Sequence, residues 1–196
     1  MERTDLGRIM AFTDGVMAVA ITLLVLNLEV PDVPAGQLED ALVDLFPSLI
    51  AYLLAFGLVG RFWIIHHRLF ETVRQFDALL MTLNLAFLAL IALVPFATEL
   101  WDSYTDEPLA AAVFGATMGL AALAHWSMTL HTSRRGYVQD PVRQAEPFGS
   151  PVTLGMTLVF LVSVPMAFLS TTVAALLWTA TLVLRYPLLR LTLKGR

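Results

Sequence analysis

Apolar runs long enough to cross a bilayer recur along this chain, and the charged residues between them are sorted by sign. Hydropathy places the runs at 9–28, 45–66, 78–100, 108–131, 152–169 and 172–190. About 20 apolar residues cross the hydrocarbon core as a helix. The chain is 58% hydrophobic and only 14% charged, against roughly 25% charged in soluble domains, so too little polar surface exists to coat a water-soluble globule. The sequence therefore predicts an all-α integral membrane protein of six transmembrane helices. Such spans use about 120 of the residues and leave only short loops and tails, so residues 1–196 read as a single transmembrane domain.

The first run is too long for a signal peptide, contains Asp14, and lacks a small-residue cleavage site before Glu29-Val30-Pro31; it reads as a retained helix. Pro31 and Pro34 end it, and Pro108 and Pro151 open the fourth and fifth helices at positions that need no amide donor. The last two runs meet around Ser170 and Thr171, as in an antiparallel hairpin. Pro95 and Pro165, inside runs, predict kinks.

Charge sets the orientation. One set of alternating loops holds Arg3 and Arg8, then Arg68 and Arg74, then Arg134, Arg135 and Arg143, then Arg190, Lys194 and Arg196. The opposite set holds Glu29, Asp32, Glu39, Asp40 and Asp44, then Glu99, Asp102, Asp106 and Glu107, with no Lys or Arg. Arg61 and Arg185 lie near inner helix ends, where a long side chain snorkels to the interface. The positive-inside rule puts both termini in the cytoplasm, which makes this a multi-pass protein of the cell membrane. The net charge of −4 excludes a nucleic-acid partner, which needs a basic face. Cysteine is absent, and with it disulfide and thiol chemistry.

The first helix carries the unusual chemistry. An ionisable group inside a span costs at least about 2.5 kcal/mol and so faces protein or water with a partner. Asp14 lies about 9 Å past Arg8, and Asn84 lies about 10 Å into the third helix, at 1.5 Å per residue. The second helix runs the other way and carries Arg61, His66 and His67 in its inner third. Arg8, Thr13, Asp14, Arg61, His66, His67 and Asn84 thus form a candidate polar cluster near the cytoplasmic face. Two roles are open to it: a clamp pinning three helices, or a gate that senses protons through histidines titrating near neutrality.

Above the cluster, Val19, Leu23 and Leu26 recur at i, i+4, i+7 on one stripe, with Thr22 and Gly15 beside it. On its own such a stripe is more often a packing face, and Ala11, Ala18 and Ala20 suit close helix contact. His125, Trp126 and His131, toward the inner end of the fourth helix, read as interfacial anchors. Gly115-x-x-x-Gly119 on that helix marks a close neighbour.

Phe12-Thr13-Asp14-Gly15-Val16, continuing into Ala20-Ile21-Thr22-Leu23-Leu24-Val25-Leu26, resembles the Phe-Ser-Asp-Gly signature of the transmembrane protein 175 family, the endolysosomal-type potassium channels. Phe62-Trp63-Ile64-Ile65-His66-His67-Arg68-Leu69-Phe70 is similar to that family's second helix, and Asn84-Leu85 followed by Pro95-Phe96 to its third. Thr13 replaces the signature serine and keeps its hydroxyl. The resemblance implies a cation channel whose bacterial members carry one six-helix unit and assemble as homotetramers. It further implies that the first helices line the central pore and that bulky apolar side chains form its constriction. On matching positions these are Val19, Leu23 and Leu26, with Thr22 as a polar ring. The expected partners are potassium and other monovalent cations, the lipid bilayer and further copies of the chain; no cofactor or metal is implied.

The residues agree with that expectation. No Thr-Val-Gly-Tyr-Gly loop is present, so this is not the conventional tetrameric P-loop potassium-channel fold. An apolar neck impedes ions by dehydration, which gives modest conduction and weaker discrimination than carbonyl chelation. The outer acidic loops either concentrate cations at the mouth or are a solvated surface. A proton-coupled or proton-conducting carrier using Asp14 and the inner histidines is the alternative, although the first helix lacks the broken-helix pattern of transporters. An enzyme is not expected, since the histidines lack a compact metal spacing such as His-Glu-x-x-His.

Overall fold

The computed structural model describes residues 3–139 and 150–183. Helix α1, Arg3–Leu23, passes into a 3₁₀ turn at Leu24–Asn27, and Pro31 and Pro34 lie in the extended segment that follows. A short 3₁₀ turn, Ala35–Gln37, leads into helix α2, Leu38–Asp44, whose first turn carries Glu39 and Asp40. Three long helices and two shorter ones follow: α3 is Phe46–Thr72, α4 Ala78–Ser103, α5 Pro108–Arg134, α6 Pro151–Ala167 and α7 Thr171–Val183.

Four segments are long and apolar enough to cross a membrane: Leu6–Asn27, Phe46–Thr72, Ala78–Ser103 and Pro108–Arg134. Pro151–Ala167 and Thr171–Leu182 are apolar but shorter; the 17 residues of α6 rise about 25 Å, against a hydrocarbon core of about 30 Å. The expected end of the last helix at 190, with Arg143, Arg185, Arg190, Lys194 and Arg196, lies outside the described residues. The second helix runs six residues past its expected end at 66, so Arg68 belongs to its last turns and not to a loop. Arg61 is accordingly eleven residues from the helix end, deeper than an end position. Helix α2, between the first two membrane-length helices, has no counterpart among the six expected runs.

The helix ends follow from local chemistry. Prolines open α5 and α6. Asp77 caps α4 by accepting from the Leu80 amide at 2.8 Å. After α5, Gly136 takes φ 67°, which lets the Gly136 and Tyr137 amides donate back to the Ser133 and Thr132 carbonyls at 3.2 and 2.9 Å. That is a Schellman ending, and a side chain with Cβ would be strained at the glycine. It aims the Tyr137 hydroxyl at Asp77, 3.3 Å away, beside His131 Nε2 at 2.8 Å. Val73 and Val138 pair antiparallel here, and the Arg74 and Gln139 amides donate to the Tyr137 and Thr72 carbonyls at 2.8 and 3.1 Å.

Helix α5 is the hub, packed against α3, α4, α6 and α7. Gly115 and Gly119 make its approach to α6 possible: a Cβ on Gly115 would stand 2.7 Å from Ser163 Oγ, and one on Gly119 3.0 Å from Leu161 Cδ2. Ser163 is itself fixed, donating to the Phe160 carbonyl and accepting from Trp178 Nε1, both at 2.7 Å. Trp178 meets Trp101 edge-on at 5.0 Å. Pro95 sits within α4 and Pro165 within the final turn of α6.

Candidate functional site

Thr13 and the apolar stripe of α1 point in opposite directions. Thr13, Met17, Ala20 and Leu24, spaced 4, 3 and 4, are buried against the rest of the subunit, the arc expected of one helical face. Phe12, Val19, Leu23 and Leu26 are exposed, at 55, 57, 42 and 70%. An open groove of about 420 Å³ runs along that side, lined by Phe12, Gly15, Val16, Val19, Ala20 and Leu23 of α1 and by Ala92 of α4. Gly15 keeps the groove open where a side chain would fill it. Thr22 is also exposed, but its hydroxyl hydrogen is directed at the Ala18 and Val19 carbonyls, at 3.0 and 2.9 Å. What Thr22 offers outward is therefore its methyl and an accepting oxygen.

On the inward face a line of hydrogen bonds crosses three helices. The Asn84 amide nitrogen donates to Thr13 Oγ1 at 3.1 Å, and its oxygen lies 2.9 Å from His66 Nε2. An amide oxygen only accepts, so His66 donates through Nε2–H and its tautomer is fixed. All three residues are buried. The His66 ring stacks between Phe70, at 4.4 Å, and Phe87, at 5.3 Å. His125 meets the same cluster edge-on, 5.8 Å from His66 and 5.6 Å from Phe87. It is a buried core residue of α5, packed where α3, α4 and α5 converge, and not an interfacial anchor. His131 does lie at the end of α5, against Asp77.

Asp14 is adjacent to this line but not part of it: it accepts from Trp63 Nε1 at 2.9 Å. Trp63 lies one turn before His66 on α3, so α3 holds both consecutive residues Thr13 and Asp14, one through Asn84 and one directly. The remaining expected members are elsewhere. Arg61 donates to the Thr181 carbonyl on α7. His67 faces Glu71 at 3.3 Å and stacks on Trp63 at 5.5 Å. Arg8 is exposed. Among the described residues no three His, Cys, Asp or Glu side chains are grouped to hold a metal.

Residues 8–95, which contain the α1 groove, the Thr13–Asn84–His66 line and the Asp14–Trp63 contact, match the family described as the endosomal/lysosomal potassium channel TMEM175. A potassium channel of Streptomyces collinus is 38% identical over 171 residues, covering 78% of this chain and 82% of that one. The chain belongs to the TMEM175 family. A crystal structure of a lysosomal potassium-selective channel TMEM175 homolog from Chamaesiphon minutus superimposes with a TM-score of 0.77 at 30% identity, over 92% of this chain and 96% of that one. The endosomal/lysosomal proton channel TMEM175 of Gallus gallus is 30% identical over 151 residues, which are 65% of this chain but 30% of that longer protein. TMEM175 proteins are ion channels of membranes and not an enzyme class, and the apolar helices described above fit that setting.

Proposed function

We propose that this protein is a potassium-permeable cation channel in which four copies surround one axis, each contributing α1 to a central pore. Val19, Leu23 and Leu26 form the apolar constriction, and Thr22 supplies a ring of hydroxyl oxygens between them. Thr13, Asp14, Asn84 and His66 hold α1 to α3 and α4 from behind. In this reading the six expected helices form one domain in the cell membrane, with both termini cytoplasmic, and Arg8, Arg61 and His67 lie outside the anchoring line.

The observation that carries it is the division of α1 between an anchored polar face and an exposed apolar face lined by a groove. A helix meant only to meet lipid has no need of buried hydrogen bonds fixing its rotation. Fixed rotation matters when one stripe has to point at an axis. The names of the Streptomyces and Chamaesiphon relatives support potassium as the ion, and dehydration at an apolar neck makes discrimination modest.

The test is reconstitution in planar bilayers. Cation currents that reverse toward the potassium potential are expected, and Leu23→Ala moves that reversal toward zero and raises conductance. Currents indifferent to Leu23→Ala would remove α1 from the pore.

A second reading, proton permeation, draws on the Thr13–Asn84–His66 line beside α1 and on the name of the Gallus relative. Vesicle acidification under a pH gradient, lost in His66→Ala but retained in Leu23→Ala, would favour it.

A further inference from the structure

The outer end of α1 is wound differently from the rest. Leu24–Asn27 is a 3₁₀ turn, closed by the Leu28 amide donating to the Val25 carbonyl at 3.1 Å. Leu23 already has φ −67° and ψ −25°, within the 3₁₀ range. Three residues per turn place side chains three apart directly over one another, so three columns form, and two of them matter here. Leu24 and Asn27 make the inner column: Leu24 is fully buried, and the Asn27 amide nitrogen donates to the Pro95 carbonyl of α4 at 3.1 Å. Leu23 and Leu26, 42 and 70% exposed, make an outer column, and Val25, 48% exposed, faces outward from the third. Continued α-winding at about 100° per residue would instead set Leu26 about 60° to one side of Leu23.

Asn27 is a costly residue at the end of an apolar span unless its amide finds a partner. The Pro95 carbonyl serves, since a carbonyl has two lone pairs and accepts from a side chain as well as from its own helix. α1 is thus tied to α4 at both ends, by Thr13–Asn84 at the inner end and Asn27–Pro95 at the outer, and packs through Met17, Ala20 and Leu24 between them.

We propose that Asn27 is a positioning residue for permeation: hooked on the Pro95 carbonyl, it holds the outer turn of α1 in 3₁₀ winding and so keeps Leu23 and Leu26 in one column, making the constriction two layers deep. This rests on the pore reading above. Release of the hook lets the turn relax to α-winding, which swings Leu26 off the column and leaves Leu23 as the narrow layer.

Asn27→Ala and Leu23→Ala, compared with the unaltered channel in bilayers, test it. Asn27→Ala is expected to raise unitary conductance severalfold and to shift the potassium-against-sodium reversal potential toward zero, with the assembly keeping its size in detergent. If Leu23→Ala alters both quantities and a correctly sized Asn27→Ala channel alters neither, the positioning role is overturned while the pore stands. If Leu23→Ala alters neither, the pore reading itself has failed. Should Asn27→Ala not assemble, the winding is read directly. The chain has no cysteine, so single substitutions at 23, 24, 25 and 26 can be probed with a charged methanethiosulfonate during recording. Block at Leu23→Cys and Leu26→Cys, with none at Leu24→Cys or Val25→Cys, supports the two columns; block at Leu23→Cys without block at Leu26→Cys overturns them.

Discussion

Helices α1 and α5 are of similar apolar length yet are used in opposite ways. In the most apolar stretch of α1 only 28% of residues are buried within the subunit, against 56% for α5. α5 achieves its burial with small residues: Gly115, Gly119 and alanines let neighbours approach until side chains interlock. α1 is held by a narrow buried face, Met17, Ala20 and Leu24, and by directed polar contacts at Thr13, Asp14 and Asn27, and leaves Phe12, Val19, Leu23 and Leu26 outside. Close packing secures a helix's position and tolerates sliding poorly. Sparse hydrogen bonds set a helix's rotation while leaving one face for another use. The difference is that between a scaffold and a working surface.

The contrast yields variants that differ in cost. Asn84→Ala should be the most damaging, because it strands the His66 N–H and the Thr13 hydroxyl in the interior, at about 1–3 kcal/mol for each; thermal melting in detergent followed by tryptophan fluorescence reads the loss. Gly115→Ala is next, at about 1–3 kcal/mol for overpacking, since Ser163 is fixed by two hydrogen bonds and has nowhere to go. Gly119→Ala should cost less in the same assay, because it meets the flexible end of Leu161. Were the two glycine variants equal, or both harmless, the scaffold role of α5 would be wrong.

Asp77→Ala removes a helix cap and should cost about 1 kcal/mol. The Leu80 amide first, then His131 and Tyr137, hold the Asp77 carboxyl below the ordinary carboxylate range. A depressed carboxylate contributes fully above its unfolded value, near 3.9, and loses that contribution as the pH falls through its lower folded value. Asp77→Ala should therefore flatten the acid limb of the stability profile and leave neutral behaviour otherwise unchanged in shape. Leu26→Ala sits at the small end: at 70% exposure it should move the melting temperature by an amount equivalent to less than about 0.5 kcal/mol, yet alter conductance. A melting loss comparable to that of Gly115→Ala would place Leu26 in packing and dissolve the distinction.

Much of this was legible in the residues. The runs of hydropathy located each described membrane helix, because length and the absence of charge are properties that lipid imposes directly. Prolines marked the starts of α5 and α6 for the same reason that they are tolerated there. Thr13, Asn84 and His66 could be matched in depth by counting residues. Rotation could not be counted: Arg61 is at a similar depth but turns to Thr181, and Trp63, not an arginine, is what meets Asp14. His125 looked like an interfacial residue by position along its helix, and only the convergence of α3, α4 and α5 shows it to be interior. The 3₁₀ turn was not legible, since Leu24–Asn27 would suit an α-helix equally; as proposed above, the Asn27 hydrogen bond to Pro95 holds it.

The loop pairing of Val73 with Val138, closed by Asp77, His131 and Tyr137, joins the ends of α3, α4 and α5 where they leave the apolar layer. Three levers fastened at one end cannot tilt independently there. On the pore reading proposed above, a rearrangement that opened or shut the passage would carry these three together at this end, and α1, joined to them by a few hydrogen bonds and the packed side chains of Met17, Ala20 and Leu24, is the element whose movement would change the passage.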